Sequence, residues 1–296
     1  MSFMDRIREC SVFCPEAYLG FVVCGETVGF VRPAFAELLA GFTDVFQVSD
    51  QGIRLSSDLV TSSERTAAIE SVLLQLRDRH ALSGWRNEPY AVCSPRTGAT
   101  LFLLDRAAVP KFGTVASGVH VNGFVPSEDG MLMWVGRRSL LKHTAPGKLD
   151  QLVAGGHAAH MSIRDTLVKE AAEEASICAD LIARACPVGV VTYCTEHEDG
   201  LRRDVLYVYD LEVPGDFQPV NTDDEIADFS LMPIDEVMRI VRDTDHFKFN
   251  CALVVIDFLI RHGRISPECD EYVGMAEALR SGGAAVARVD RNRILE

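Results

Sequence analysis

Apolar and polar positions alternate along this chain at two periods, and the change of period marks its elements. Residues 18 to 60 set short apolar runs between glycines, YLGFVVCGETVGFV and DVFQVSDQGIRLSS. That pattern predicts strands and tight turns around a short helix near Ala34 to Ala40. A longer helix follows, opened by the capping-box spacing Thr61-x-x-Glu64 and carrying Ile69, Val72, Leu73 and Leu76 on one side. After the turn around Gly84, TGATLFLLDRAAVPKFG predicts a strand and an exit loop, and a domain boundary falls near Lys111 to Gly113.

The second half has another rhythm. GVHVNGFV and MLMWVGRR predict strands joined by the turn PSEDG, and KLDQLVAGG leads to a strand end at Ala154-Gly155-Gly156. Glycines there let the backbone turn sharply or come close to a ligand. PVGVVTYCTE and RRDVLYVYDLEV predict a hairpin across EHEDG, IADFSLMP a short strand, and IDEVMRIV a helix. FNCALVVIDFLIRHG is apolar almost all round, which predicts a buried helix stopped at Arg261, His262 and Gly263. Strands interleaved with helices give a mixed α/β class. The expected division is an α+β accessory domain over residues 1–112, a second domain over 113–281, and a flexible tail over 282–296.

Between the glycines and the hairpin lies GGHAAHMSIRDTLVKEAAEEASI. Ser162 and Asp165 have capping-box spacing, and Leu167, Val168, Ala171, Ala172 and Ala175 form an apolar face. At roughly 100° per residue, Glu170 and Glu174 stand one turn apart with Glu173 beside them. Runs such as KEAAEEA also occur on solvated helix faces. Like charges at that spacing repel mildly, however, so the face gains from a cation.

Composition narrows the function. With 29 basic and 43 acidic residues the net charge is -14, which argues against nucleic-acid and anionic-membrane partners, since both call for a cationic surface. An acidic protein that handles phosphate needs a metal. The nine cysteines form no C-x-x-C pair and read as reduced core thiols, and the N-terminus MSFMDRIREC lacks a signal-peptide apolar stretch, so the expected compartment is the cytoplasm.

Glycines, cap and acidic helix together resemble the box of the Nudix hydrolases, G-x5-E-x7-R-E-U-x-E-E-x-G-U with U aliphatic. Counted from Gly155, Lys169 falls at the arginine, Glu170, Glu173 and Glu174 at the three clustered glutamates, and Ile177 at the last aliphatic. Met161 replaces the first glutamate, which removes a brace. Ser176 replaces the last glycine, Ala171 is a small aliphatic, and aligned on the double glycine the loop is one residue short. The strings GVHVNGFV, WVGRRS, PGKLDQLVAGG, LVKEAAEEAS, VYDLEVPGDFQP, DDEIADFSL and FKFNCALVVIDFLIRHG look like one Nudix subfamily with a dedicated N-terminal domain. That subfamily is related to the Nudix part of fungal thiamine pyrophosphokinase fusions.

The resemblance implies an α/β/α sandwich with a mixed sheet and a pyrophosphohydrolase that uses Mg²⁺, with Mn²⁺ as the alternative. It implies Glu170 and Glu174 as metal ligands, Glu173 as ligand or base, the Ala154 carbonyl as a further ligand, and Lys169 as a positive charge beside them. Glu225 in DDEIADF, which alone reads as surface charge, is implied as a second-metal or water-activating carboxylate. Gly155, Gly156 and His157 are implied to meet the substrate phosphates. Arg137, Arg138 and Lys142 follow a strand bordering the cleft and could hold a diphosphate, and Trp134 and Tyr193 could stack on a heterocycle. The implied substrates are oxidised thiamine diphosphates, in oxo and oxy forms. ADP-ribose or another nucleoside diphosphate sugar, and a non-catalytic ligand sensor, are the alternatives. A homodimer is compatible with this reading.

Overall fold

The computed structural model describes residues 2–128 and 130–282, so most of the expected tail, residues 283–296, lies outside the described residues. Helix α1 (Phe3–Glu9) is capped by Ser2 and Asp5. Strands β1 (Leu19–Val23) and β2 (Glu26–Val31), helix α2 (Pro33–Leu39), and strands β3 (Phe46–Ser49) and β4 (Gly52–Leu55) follow. They form a sheet in the order β2-β1-β4-β3, parallel only between β1 and β4. Helix α3 (Ser62–Asp78) carries the Thr61–Glu64 capping box and buries Ile69, Val72, Leu73 and Leu76, as its spacing predicts. The hairpin β5 (Pro89–Cys93) and β6 (Thr100–Asp105) and the short helix α4 (Val109–Phe112) complete this unit around a core centred on Phe21, Phe46, Phe102 and Phe112. The expected exit loop is therefore partly helical.

The second unit is built on a seven-stranded sheet. Its strands are β7 (Val115–Ser127), β8 (Gly130–Arg138), β9 (Leu149–Asp150), β10 (Val153–Gly156), β11 (Cys186–His197), β12 (Gly200–Glu212) and β13 (Ile226–Pro233). The order is β11-β12-β7-β8-β13, with β10 paired to β7 and β9 to β8. The β7–β12 pair is parallel and the rest are antiparallel, so the sheet is mixed. Helices α5 (Ile163–Ala175) and α6 (Ala179–Ile182) cover one face through Leu167, Ala171, Ala175 and Ile182. The other face is covered by α7 (Ile234–Asp243), α8 (Phe249–Arg261) and α9 (Tyr272–Ser281). The result is the expected α/β/α sandwich preceded by a smaller α+β unit.

Helix α1 does not join the unit that follows it in sequence. Ile7 and Cys10 are buried in the core built by α7, α8 and α9. Arg6 Nε donates to the Val241 carbonyl at 3.1 Å, and the backbone N–H of Glu196 on β11 donates to the Val12 carbonyl at 2.8 Å. The cysteines also depart from expectation. Cys10, Cys194 and Cys251 are buried, but Cys14, Cys24, Cys93, Cys178, Cys186 and Cys269 are exposed, and all are free thiols. Among the described residues no helix is long and apolar enough to cross a membrane.

Candidate active site

Strand β10 is an edge strand, and α5 packs against it. The cap forms as the spacing predicts: Ser162 Oγ accepts from the Asp165 N–H at 3.0 Å, and the Asp165 carboxylate accepts from the Ser162 N–H at 3.3 Å. At the other end Ser176, where the box has glycine, takes a left-handed φ of 51° and its hydroxyl donates to the Val220 carbonyl at 2.7 Å. Gly155 and Gly156 are strand residues without positive φ, so a sharp turn is not their purpose. A Cβ on Gly155 would meet the Glu170 side chain at 2.2 Å, and one on Gly156 would meet Tyr90 Oη at 1.9 Å. Both glycines are required by close approach, the second by a residue of the N-terminal unit.

The three clustered glutamates occupy different environments. Glu174 is buried, and its Oε2 accepts the Ala154 N–H at 2.7 Å. Desolvation raises its carboxyl to about 8, with Asp150, Glu170 and Glu225 adding negative charge nearby. Glu170 is 14% exposed and raised by burial, a shift that Lys169 only partly offsets. Glu173 is half-exposed, and Lys169 Nζ bridges it at 2.7 Å and Glu170 at 3.0 Å. Although burial opposes charge on Lys169, the hydrogen bonds to Glu173 and Glu170 outweigh it and hold the ammonium above its ordinary range. In an antiparallel ladder a residue's N–H and C=O point the same way, so the Ala154 carbonyl is turned from β7 toward α5 as well.

Glu225 arrives on a loop stapled to α5: the Thr222 N–H and hydroxyl both donate to the Glu173 carbonyl, at 3.0 and 2.8 Å. The Glu225 carbonyl accepts the Ser139 N–H at 2.9 Å, and its carboxylate pairs with Lys142. Burial pushes this carboxyl up, but Lys142, Arg106 and Arg138 outweigh burial and hold it below the ordinary value. Among the described residues, the metal-capable group with ligand atoms all within 4.8 Å of one another is His120, Asp150 and Cys251. Its members are already engaged: Asp150 pairs with Arg138 at 2.7 Å and accepts the Cys251 thiol at 2.7 Å, and His120 Nδ1 meets Gln151 Oε1 at 2.7 Å. The glutamates of α5 and Glu225 are engaged separately: Lys169 pairs with Glu170 and Glu173, Lys142 with Glu225, and Glu174 accepts the Ala154 N–H.

Several candidates are braces. The Arg138 guanidinium is buried between Asp150 and the carbonyls of Thr144 and Ala145, so it is not available to a phosphate. Arg137 is exposed, pairs with Asp228 at 3.3 Å and does not line the cleft. His157 donates from Nε2 to the Met161 carbonyl at 2.7 Å and meets the Ser117 hydroxyl through Nδ1 at 2.9 Å. It thereby spans the loop where the first box glutamate is missing. Trp134 is core, edge-on to Phe217. Tyr193 is buried with its hydroxyl donating to Asp204, and it forms part of the cleft wall.

The cleft measures about 330 Å³ and runs from Ala154–Gly156 along β7 and β12, within the range of small-molecule sites. Its other wall belongs to the N-terminal unit, through Tyr90, Arg106 and Lys111. Sequence reasoning missed this wall. Its one advance signal is the second glycine of the pair, a small residue with no turn to make.

The family model described as "NUDIX domain" matches residues 117–253, and the one described as "Domain of unknown function (DUF4743)" matches residues 2–116. Nudix hydrolase 24, chloroplastic, of Arabidopsis thaliana is 40% identical over 284 residues, 95% of this chain and 78% of the relative. Nudix hydrolase 20, chloroplastic, of the same plant is 39% identical over 290 residues, 94% and 78%. The solved MutT protein from Methanosarcina mazei Go1 is 17% identical, covering 50% of this chain and 95% of that one with a TM-score of 0.38. The plant relatives overturn the cytoplasmic expectation, since both are chloroplastic.

Proposed function

The chain belongs to the Nudix hydrolases, enzymes of small-molecule diphosphates, and we propose that its α5 face hydrolyses oxidised thiamine diphosphates, in oxo and oxy forms, to the monophosphate and phosphate. The observation that carries this reading is the Glu174 carboxyl, buried beside Glu170 and raised to about 8 by its desolvation. A cluster of desolvated carboxylates is stabilised by a hard cation, so the donor set fits the divalent metal that Nudix enzymes use. In this proposal Glu170, Glu174 and the Ala154 carbonyl hold Mg²⁺, with Mn²⁺ as a substitute. Bound there, the ion offsets charge on phosphate oxygens and lowers the pKa of water.

The chain's own residues do the rest. Glu173 or Glu225 accepts the proton of the attacking water, which forms a P–O bond as the bridging P–O bond breaks. Lys169 restrains Glu170 and Glu173, and Gly155 and Gly156 admit the phosphates to the backbone. The thiamine part rests on the subfamily resemblance, and a cleft ending in Tyr193, Asp204 and Asn250 supplies donors and acceptors to read a heterocycle. The division at residue 112 belongs to the same proposal, with α1 counted in the catalytic unit.

The test is a panel of diphosphates assayed for phosphate release with Mg²⁺ and again with excess EDTA. Oxo- or oxythiamine diphosphate is expected to show the highest kcat/KM, and EDTA to abolish turnover without changing the circular dichroism. ADP-ribose ranking first by tenfold or more transfers the assignment to nucleoside diphosphate sugars. Turnover of no diphosphate in the panel sinks the reading.

A further inference from the structure

We propose that the N-terminal unit completes the substrate site, with Arg106 gripping a phosphate of the substrate from a platform made by Tyr90. This rests on the diphosphatase reading above. The unit is registered onto the catalytic loop at two points. The Pro89 carbonyl on β5 accepts the Ala159 N–H at 2.7 Å, and Tyr90 Oη fills the space beside Gly156. What β5 and β6 carry is therefore fixed relative to the double glycine.

Arg106, immediately after β6, uses that placement. Its central guanidinium carbon would lie 3.4 Å from a Cβ on Gly156, and it stands 5.8 Å from the centre of the Tyr90 ring, within cation–π range. Only one nitrogen is spent: NH1 donates to Glu88 Oε2 at 2.9 Å. Nε and NH2 have no hydrogen-bond partner among the described residues, and the side chain lines the cleft. Glu88 and Glu225 are the carboxylates that stabilise its charge.

Four cations that the sequence places near the acidic helix are committed elsewhere. Lys169 is held by Glu170 and Glu173, Lys142 by Glu225, Arg138 by Asp150 and Arg137 by Asp228. A diphosphate brings negative charge to an already acidic face. A planar guanidinium with two unspent nitrogens suits two phosphate oxygens at once, which a lysine cannot match.

The test titrates methylenediphosphonate, whose P–C–P link resists hydrolysis, into the full chain with Mg²⁺ by calorimetry. Arg106→Gln is expected to weaken binding at least tenfold while the thermal midpoint stays within two degrees or so. Arg106→Lys, which keeps charge and fold, is expected to weaken it at least threefold. Arg54→Gln, on β4 and away from the cleft wall, is expected to leave it within twofold. Wild-type binding by Arg106→Lys or Arg106→Gln, or no binding by the unsubstituted protein, overturns the proposal. The two readings fail separately: Arg106-dependent binding without turnover of any diphosphate keeps the phosphate grip and removes the hydrolase, whereas unchanged kcat/KM in Arg106→Gln keeps the hydrolase and removes the grip.

Discussion

The backbone N–H of Ala154 donates to Glu174 Oε2 across 2.7 Å, tying the last turn of α5 to edge strand β10 through a buried carboxylate. Glu174→Gln keeps the size of the side chain and an oxygen for that bond but removes the anion. Turnover is expected to fall by orders of magnitude. Thermal stability without metal is expected to hold or rise, because the substitution removes a carboxylate that burial disfavours. Near wild-type turnover would leave Glu174 a structural tie between α5 and β10 and remove it from the metal site.

Space beside Gly156 is already taken by Tyr90. Gly156→Ala is therefore expected to destabilise the fold by about 1–3 kcal/mol, the usual cost of overpacking. Tyr90→Ala should absorb most of that cost, so urea unfolding of the two single variants and the double variant should be strongly non-additive. Additive losses would show that the two residues do not meet.

Arg138 and Asp150 form a buried pair at 2.7 Å. Removing one partner strands the other charge, so Arg138→Gln is expected to cost about 3–5 kcal/mol. A phosphate ligand would behave differently, with stability preserved and KM raised. Denaturant midpoints beside steady-state kinetics separate the two.

Burial lowers His120 to about 4, against the ordinary 6.5, even though Asp150 and Gln151 favour its charge; Lys248 and Arg138 add repulsion. The unfolded chain therefore binds a proton that the folded chain refuses between those values, and stability from this residue is lost as pH falls from 6.5 toward 4. Relative to His120→Gln, the unsubstituted protein is expected to lose on the order of 3 kcal/mol across that window. Glu174, shifted upward, works in the opposite sense but cancels in the difference. Equal pH slopes for the two proteins in urea titrations contradict this.

Local spacing was enough to read α3 and α5 with their caps, since a capping box and an apolar face involve residues within a few positions of each other. Partners distant in sequence were not legible. Arg138 looked like a phosphate cation because a sequence displays charge without the carboxylate twelve positions on that neutralises it. His157 looked like a substrate contact because the Met161 carbonyl and Ser117 hydroxyl that occupy it depend on the fold of the loop. Nothing in their local sequence marks Tyr90 or Arg106. Only the docking of one unit on the other gives them a place. The cysteines misled for a related reason: an apolar neighbourhood in sequence does not decide whether a thiol falls in a core, at a strand end, or, as Cys14, Cys24, Cys178 and Cys269 do, in a turn or helix cap.

Helix α1 lies against α7, α8 and α9, so the path runs from the seven-stranded unit into the neighbouring one and returns with β7. The accessory unit is thus topologically an insert between α1 and β7. A cut at the apparent boundary near residue 113 would take Ile7 and Cys10 away with it and open an apolar furrow along the C-terminal helices. Any recombination that exchanges this unit as a cassette must join the chain on both sides of it, after Cys10 and before Val115, if both cores are to survive.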